Sequence, residues 1–224
     1  MTGPGSFASR MAGLAAAAEA AGALGPSVDR YVERVLVTLR RGGKLLLCGN
    51  GGSAATAEHV AAEYVVRFRR ERRAFAAVAL TSGGAVLTAA SNDLGYAEAL
   101  ARTVRALARP EDLLILHSTS GDSPNLLRAA EEAKAMGVAT VGVLARGGGR
   151  LASRVDLALV LPARETALAQ ELQLALEHAV VDRVEAVLAG EDGADAGAPG
   201  GAAHAPGTAA HVPGTGDHTE PREA

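Results

Sequence analysis

Lys44-Leu45-Leu46-Leu47-Cys48-Gly49-Asn50-Gly51-Gly52-Ser53-Ala54-Ala55 passes from an apolar run of strand length, through three glycines, into an alanine-rich stretch. Strand, tight turn and helix in that order form half of a βαβ unit. The grammar repeats along the chain. Apolar runs bounded by Gly, Pro or charge occur at 44–48, 75–80, 112–116, 138–144 and 155–161. Between them lie helical stretches at 53–67, 95–107, 124–136 and 166–189, and two more precede the first strand, at 7–23 and 27–41. Alternating strands and helices predict an α/β fold with a mostly parallel sheet of five strands. Near-continuous apolar strands predict a sheet covered on both faces.

Composition narrows the class. The chain has 224 residues, a net charge of -3 and 48% hydrophobic residues, enough for a core, but only 3% aromatics and no Trp. Ala, Val and Leu must therefore fill the interior. The single cysteine, Cys48, excludes an internal disulfide framework and a cysteine-based zinc finger. The near-neutral charge argues against nucleic acid as a partner. No run of apolar residues is long enough to predict a membrane span. The Ala-rich stretch after Arg10 is interrupted by Glu19, so a helix is expected there rather than a signal peptide, and the cytoplasm is the expected compartment.

Residues 1–189 read as one domain. Residues 190–224 read as a disordered tail, rich in Gly, Pro, Ala and His and poor in large apolar residues. The tail carries six acids and one base, so the body keeps a small positive excess suited to an anionic small molecule.

Ligands of doubly wound sheets bind beyond the carboxyl ends of the strands. Two loops at such ends carry candidate chemistry. In the glycine loop, Asn50, Gly51, Gly52 and Ser53 allow close backbone approach to an anion at a helix start, or form a tight turn capped by Ser53. The second loop, Ser118-Thr119-Ser120-Gly121-Asp122-Ser123-Pro124-Asn125, sets four hydroxyls before a helix that Pro124 opens. Such a loop cradles a phosphate, and Ser123 also suits an N-cap. His59 and Glu63, four apart on the helix after the glycine loop, share one face and suit a metal or proton transfer. On the last helix, Gln170, Glu171, Gln173, Glu177 and His178 read either as part of a site or as a solvated face. Asn92 and Asp93 before Gly95 read as a turn or cap unless they face a ligand.

Together these motifs resemble those of the sugar isomerase (SIS) domain proteins, and among them the phosphoheptose isomerase family. The resemblance covers roughly residues 30–189. It rests on the glycine loop with His59 and Glu63, on Ser91-Asn92-Asp93, on the Ser/Thr loop, and on Gln170-Glu171 with His178. It implies a flavodoxin-like αβα sandwich and a homotetramer with active sites between subunits. The implied reaction converts sedoheptulose 7-phosphate to D-glycero-D-manno-heptose 7-phosphate. Carried over by motif, Ser118, Thr119, Ser120 and Ser123 hold the phosphate. Asn50, Gly51, Gly52, Ser53, Asn92 and Asp93 contact the sugar, and Arg67 matches a basic residue near the site. His59, Glu63, Gln170 and His178 match the ligands of one zinc ion per subunit, and Glu63 and His178 also match the proposed base and acid. Thr56, Leu168 and Ala169 depart from the family pattern, as does the lack of an Asp in Thr81-Ser82-Gly83-Gly84. The rival readings are an isomerase of another ketose phosphate and a non-catalytic module that binds sugar phosphates.

Overall fold

The computed structural model describes residues 6–196. The tail at 197–224 lies outside the described residues, so the reading of it as disordered does too. Seven helices and five strands alternate: α1 (Phe7–Ala21), α2 (Gly25–Arg40), β1 (Leu45–Cys48), α3 (Gly52–Val65), β2 (Ala77–Ala79), α4 (Gly84–Leu94), α5 (Tyr96–Leu107), β3 (Leu113–Ser118), α6 (Pro124–Ala135), β4 (Ala139–Leu144), β5 (Leu157–Val160) and α7 (Thr166–Ala196). All strand pairs are parallel and the order across the sheet is β2-β1-β3-β4-β5. This is the flavodoxin-like order, in which the winding direction reverses between β1 and β3.

Strand alternation sorts the apolar residues into two layers. Leu45 and Leu47 of β1, with Leu113 and Ile115 of β3, face a core closed by α2, α3 and α7. Leu46 and Cys48, with Leu114 and Leu116, face the core under α5 and α6. The sheet is therefore covered on both faces, as the unbroken apolar runs predict. α1 lies over α7, with Ala17 buried and Arg10 donating to Glu171 Oε1 at 2.7 Å.

Two elements differ from the sequence reading. α4 was not foreseen: none of its residues is buried, so it carries no apolar periodicity. α7 continues to Ala196, seven residues beyond the expected domain end at 189. Arg40 of α2 pairs with Glu191 and ties this extension back to the body.

The buried face of α7 carries polar groups, and their partners set its position. Gln173, fully buried, accepts from Ser53 Oγ at 3.0 Å and donates to the Val143 carbonyl at 2.8 Å. Glu177, also fully buried, lies 2.7 Å from His117 Nε2 and accepts from Tyr31 Oη at 3.1 Å. Burial and the neighbouring Glu177 charge push the Tyr31 phenol well above its ordinary pKa. An unsatisfied buried polar group costs about 1–3 kcal/mol. Glu177→Ala strips an acceptor from both His117 and Tyr31, so it should destabilise by about 3 kcal/mol. Calorimetry should then show the Tm fall by about 6–12 °C.

Candidate active site

β1 and β3 are neighbours at the point where the winding reverses, so the loops that follow them open side by side. A reciprocal amide pair joins them. Asn50 Nδ2 donates to Asn125 Oδ1 at 2.9 Å, and Asn125 Nδ2 donates to Asn50 Oδ1 at 2.8 Å. Tyr96 Oη adds a third bond to Asn50 Oδ1 at 2.7 Å, tying the start of α5 to the same loop. Neither Tyr96 nor the role of Asn125 stands out in the sequence, because each partner lies far away along the chain.

In the glycine loop, Gly51 has φ 55° and precedes α3, and both Gly51 and Gly52, the first residue of that helix, are exposed. Ser53 does not cap the helix. It lies inside α3, buried, with its hydroxyl on Gln173. Thr56 donates to the Gly52 carbonyl at 3.2 Å, and Leu168 packs against the core. Both departures from the family pattern therefore serve packing.

The Ser/Thr loop is folded by its own hydroxyls. Ser118 Oγ accepts from the Gly121 amide at 2.9 Å, and Ser120 Oγ accepts from the Asp122 amide at 3.2 Å. Gly121, at φ 69°, packs against the Gly148 carbonyl, where a Cβ would collide. Arg150 donates from its backbone and side chain to Asp122 and holds that carboxyl below its ordinary pKa. Ser123 occupies the N-cap position of α6 but makes no side-chain cap bond. Thr119, Ser120 and Ser123 are half-buried and front the start of α6, where backbone N–H groups and the helix dipole favour an anion.

The third part of the site lies between α3 and α7. His59 Nε2 is 3.0 Å from His178 Nε2 and 3.3 Å from Glu63 Oε1. One ligand atom from each of the three residues lies within 4.8 Å of the others. Two imidazoles and a carboxylate are a common donor set for catalytic zinc, which keeps a further position open. Tetrahedral ligands about 2.1 Å from an ion stand roughly 3.3 Å apart, close to the separations here. The trio therefore fits one small divalent metal ion.

Gln170 approaches the glycine loop. A Cβ at Gly52 would stand 2.5 Å from its carboxamide, which places Gln170 over the glycine loop, seven residues ahead of His59 on α3. Glu177 faces the core rather than the trio. Asn92 and Asp93 end α4, exposed, with Asn92 Nδ2 on Asp93 Oδ1 at 2.8 Å. Arg67, exposed, pairs with Glu71. Phe68, which the sequence does not single out, stacks on His178 with ring centroids 5.2 Å apart and planes at 25°. Burial pushes the Cys48 thiol up to about 12, so this lone cysteine beside the glycine loop is not a nucleophile.

A doubly wound sheet with ligand loops at its switch point and a hydroxyl-rich cradle beside them defines the SIS class, and the SIS domain family profile matches residues 9–145. Curated relatives narrow this further. The phosphoheptose isomerase of Roseiflexus sp. (strain RS-1) is 51% identical over 166 residues, spanning 74% of this chain and 84% of that one. Among solved structures, the phosphoheptose isomerase of Neisseria gonorrhoeae is 36% identical with a TM-score of 0.76. That from Francisella tularensis is 31% identical with a TM-score of 0.78. Each alignment covers 80% of this chain and 96% of the other. The chain belongs to the phosphoheptose isomerase family of SIS-domain proteins.

If the trio holds zinc, isothermal titration of the metal-free protein should show one site per chain. His59→Ala or His178→Ala should weaken it at least about 100-fold, since each removes one of only three such donors. Unchanged affinity in both variants would place the metal elsewhere.

Proposed function

We infer that this chain is an aldose–ketose isomerase that converts sedoheptulose 7-phosphate to D-glycero-D-manno-heptose 7-phosphate. The observation that carries this reading is the convergence of His59, Glu63 and His178 beside two strand-end loops built for a phosphosugar. The reaction moves a proton between C1 and C2 through an enediol. It needs a group to take and return the proton, another to serve the oxygen, and stabilisation of negative charge as it develops. Glu63 is the base at carbon and His178 the acid at oxygen. A zinc ion held by His59, Glu63 and His178 would supply Lewis-acid polarisation of the carbonyl. Gln170, poised over Gly52, either reaches that ion as a fourth ligand or binds the sugar.

Ser118, Thr119, Ser120 and Ser123 hold the 7-phosphate, with the amides at the start of α6. Asn50, Gly51, Gly52, Asn92 and Asp93 bind the sugar hydroxyls, Ser53, whose hydroxyl is held by Gln173, serves that pocket by fixing the start of α3, and Arg67 adds positive charge near the rim. The convergence of His59, Glu63 and His178 argues against a binding module without catalysis. Since Thr56 and Leu168 are absorbed in packing, their departures give no support to a different ketose phosphate.

We assign the protein to the cytoplasm and to a homotetramer. No helix among the described residues is long and apolar enough to cross a membrane. Val66, Val78 and Val86 are 68%, 39% and 56% exposed around α3, β2 and α4, an apolar surface suited to another subunit. Light scattering should give four chains; a monomer would defeat shared sites.

The proton-transfer assignment is tested by Glu63→Gln. Turnover should fall about 100- to 10,000-fold, the range general-base catalysis contributes. Binding of sedoheptulose 7-phosphate, measured by calorimetry, should stay within a few-fold. Loss of binding in step with turnover would remove Glu63 from the base role.

A further inference from the structure

The segment between α3 and β2, Arg67-Phe68-Arg69-Arg70-Glu71-Arg72-Arg73, holds five arginines and leads away from Glu63. A loop with that much like charge needs an anchor. Its anchor is one carboxylate on α7. Glu185, only 1% exposed, accepts from three successive backbone amides: Phe68 at 2.9 Å, Arg69 at 2.7 Å and Arg70 at 3.0 Å. Arg72, whose side chain is 0% exposed, brings Nε to 3.2 Å from the same carboxylate. Its Nη2 donates to the Glu63 carbonyl at 2.7 Å. Asp182 adds a second hold, accepting from Arg70 Nη1 at 2.6 Å.

Glu185 and Asp182 follow His178 on α7 by seven and four residues, so all three lie along one side of the helix. The loop they hold delivers Phe68 onto the His178 ring. The Arg69 guanidinium lies 5.1 Å from the same phenyl centroid. From Glu185 the anchoring thus reaches two residues of the trio: His178 through Phe68, and the backbone of Glu63 through Arg72.

We propose that Glu185 and Phe68 are positioning residues: the Glu185 carboxylate folds the 67–73 loop onto α7, and Phe68 then fixes the plane of the His178 imidazole. An imidazole that must meet both a metal and a substrate oxygen needs a set ring orientation. Most histidines obtain it from a hydrogen bond to the second ring nitrogen. Here a stacked ring sets the plane instead. Phe68 carries no group that can take or give a proton, so its effect passes through the His178 ring on which it stacks.

The proposal deepens the isomerase reading and rests on it for its catalytic consequence, but its geometric half can be read without turnover. Histidine-labelled, metal-free full-length protein gives one set of ring resonances per histidine, and His178→Ala assigns that of His178. A stacked phenyl ring shifts those protons upfield. In Phe68→Ala the His178 resonances should move downfield, kcat should fall about tenfold or more with KM unchanged, and Phe68→Tyr should restore both. Phe68 is half-buried and packs against the rim of the core, so the Tm of each variant is measured beside its spectrum to separate a local shift of His178 from a loss of fold. Glu185→Gln, which sets an amide N–H against a backbone N–H, should release the loop and shift His178 in the same direction with Phe68 still present.

Unchanged His178 resonances in either variant would overturn the clamp. A shifted resonance with unchanged kcat in Phe68→Ala would overturn the catalytic role. If the wild-type protein fails to turn over sedoheptulose 7-phosphate, the isomerase reading falls, and the resonance shifts still decide the clamp.

Discussion

Two buried polar side chains on α7 constrain everything the site needs. Gln173 and Glu177 sit in an apolar interior, where a polar group without partners is costly. Their partners are fixed by the sheet and its covering helices: the Val143 carbonyl on β4, Ser53 on α3, His117 on β3 and Tyr31 on α2. Only one rotation and one axial position of α7 satisfy all four. In that setting His178, the residue after Glu177, turns towards α3 and meets His59, while Gln170, one turn before Gln173, meets the glycine loop. The convergence of His59, Glu63 and His178 is thus a by-product of how the polar groups of the core are satisfied. Among the described residues, the Tyr64 hydroxyl and His117 Nδ1 are buried without a hydrogen-bond partner.

The same setting links the two ends of the reaction. His117 precedes Ser118, which shapes the hydroxyl cradle. Glu177 precedes His178. Their contact at 2.7 Å joins the base of the phosphate loop to the base of the proton-transfer trio. In the proposed reaction, a substrate held by its phosphate at the Ser/Thr loop would present its other end to groups already fixed in relation to that loop. Such preorganisation lets binding energy serve orientation.

Much of this was legible in the sequence, for identifiable reasons. The βα alternation is visible because buried parallel strands are apolar throughout and are bounded by glycine and proline. The spacing of His59 and Glu63 reports one helix face, and the two ligand loops follow from the rule about strand ends. α4 escaped because a helix with no buried face has no pattern to display. Gln173 and Glu177 resembled a solvated face because a single sequence does not reveal that Val143, Ser53, His117 and Tyr31 wait opposite them. Ser53 reads as a cap or as part of an anion-binding loop for the same reason: its partner lies 120 residues away. The approach of His178 to His59, across 119 residues, rests on the family resemblance and on tertiary packing rather than on any local signal. Phe68 offered no signal at all, since one aromatic among arginines reads as surface.

The account stands or falls on what the assembled site does to a seven-carbon ketose phosphate. The most direct measurement is conversion of sedoheptulose 7-phosphate by the purified full-length protein, read through a coupled heptose 7-phosphate kinase, before and after chelation. The account predicts turnover that chelation abolishes and added zinc restores. A folded, zinc-loaded protein that leaves sedoheptulose 7-phosphate unchanged would contradict it.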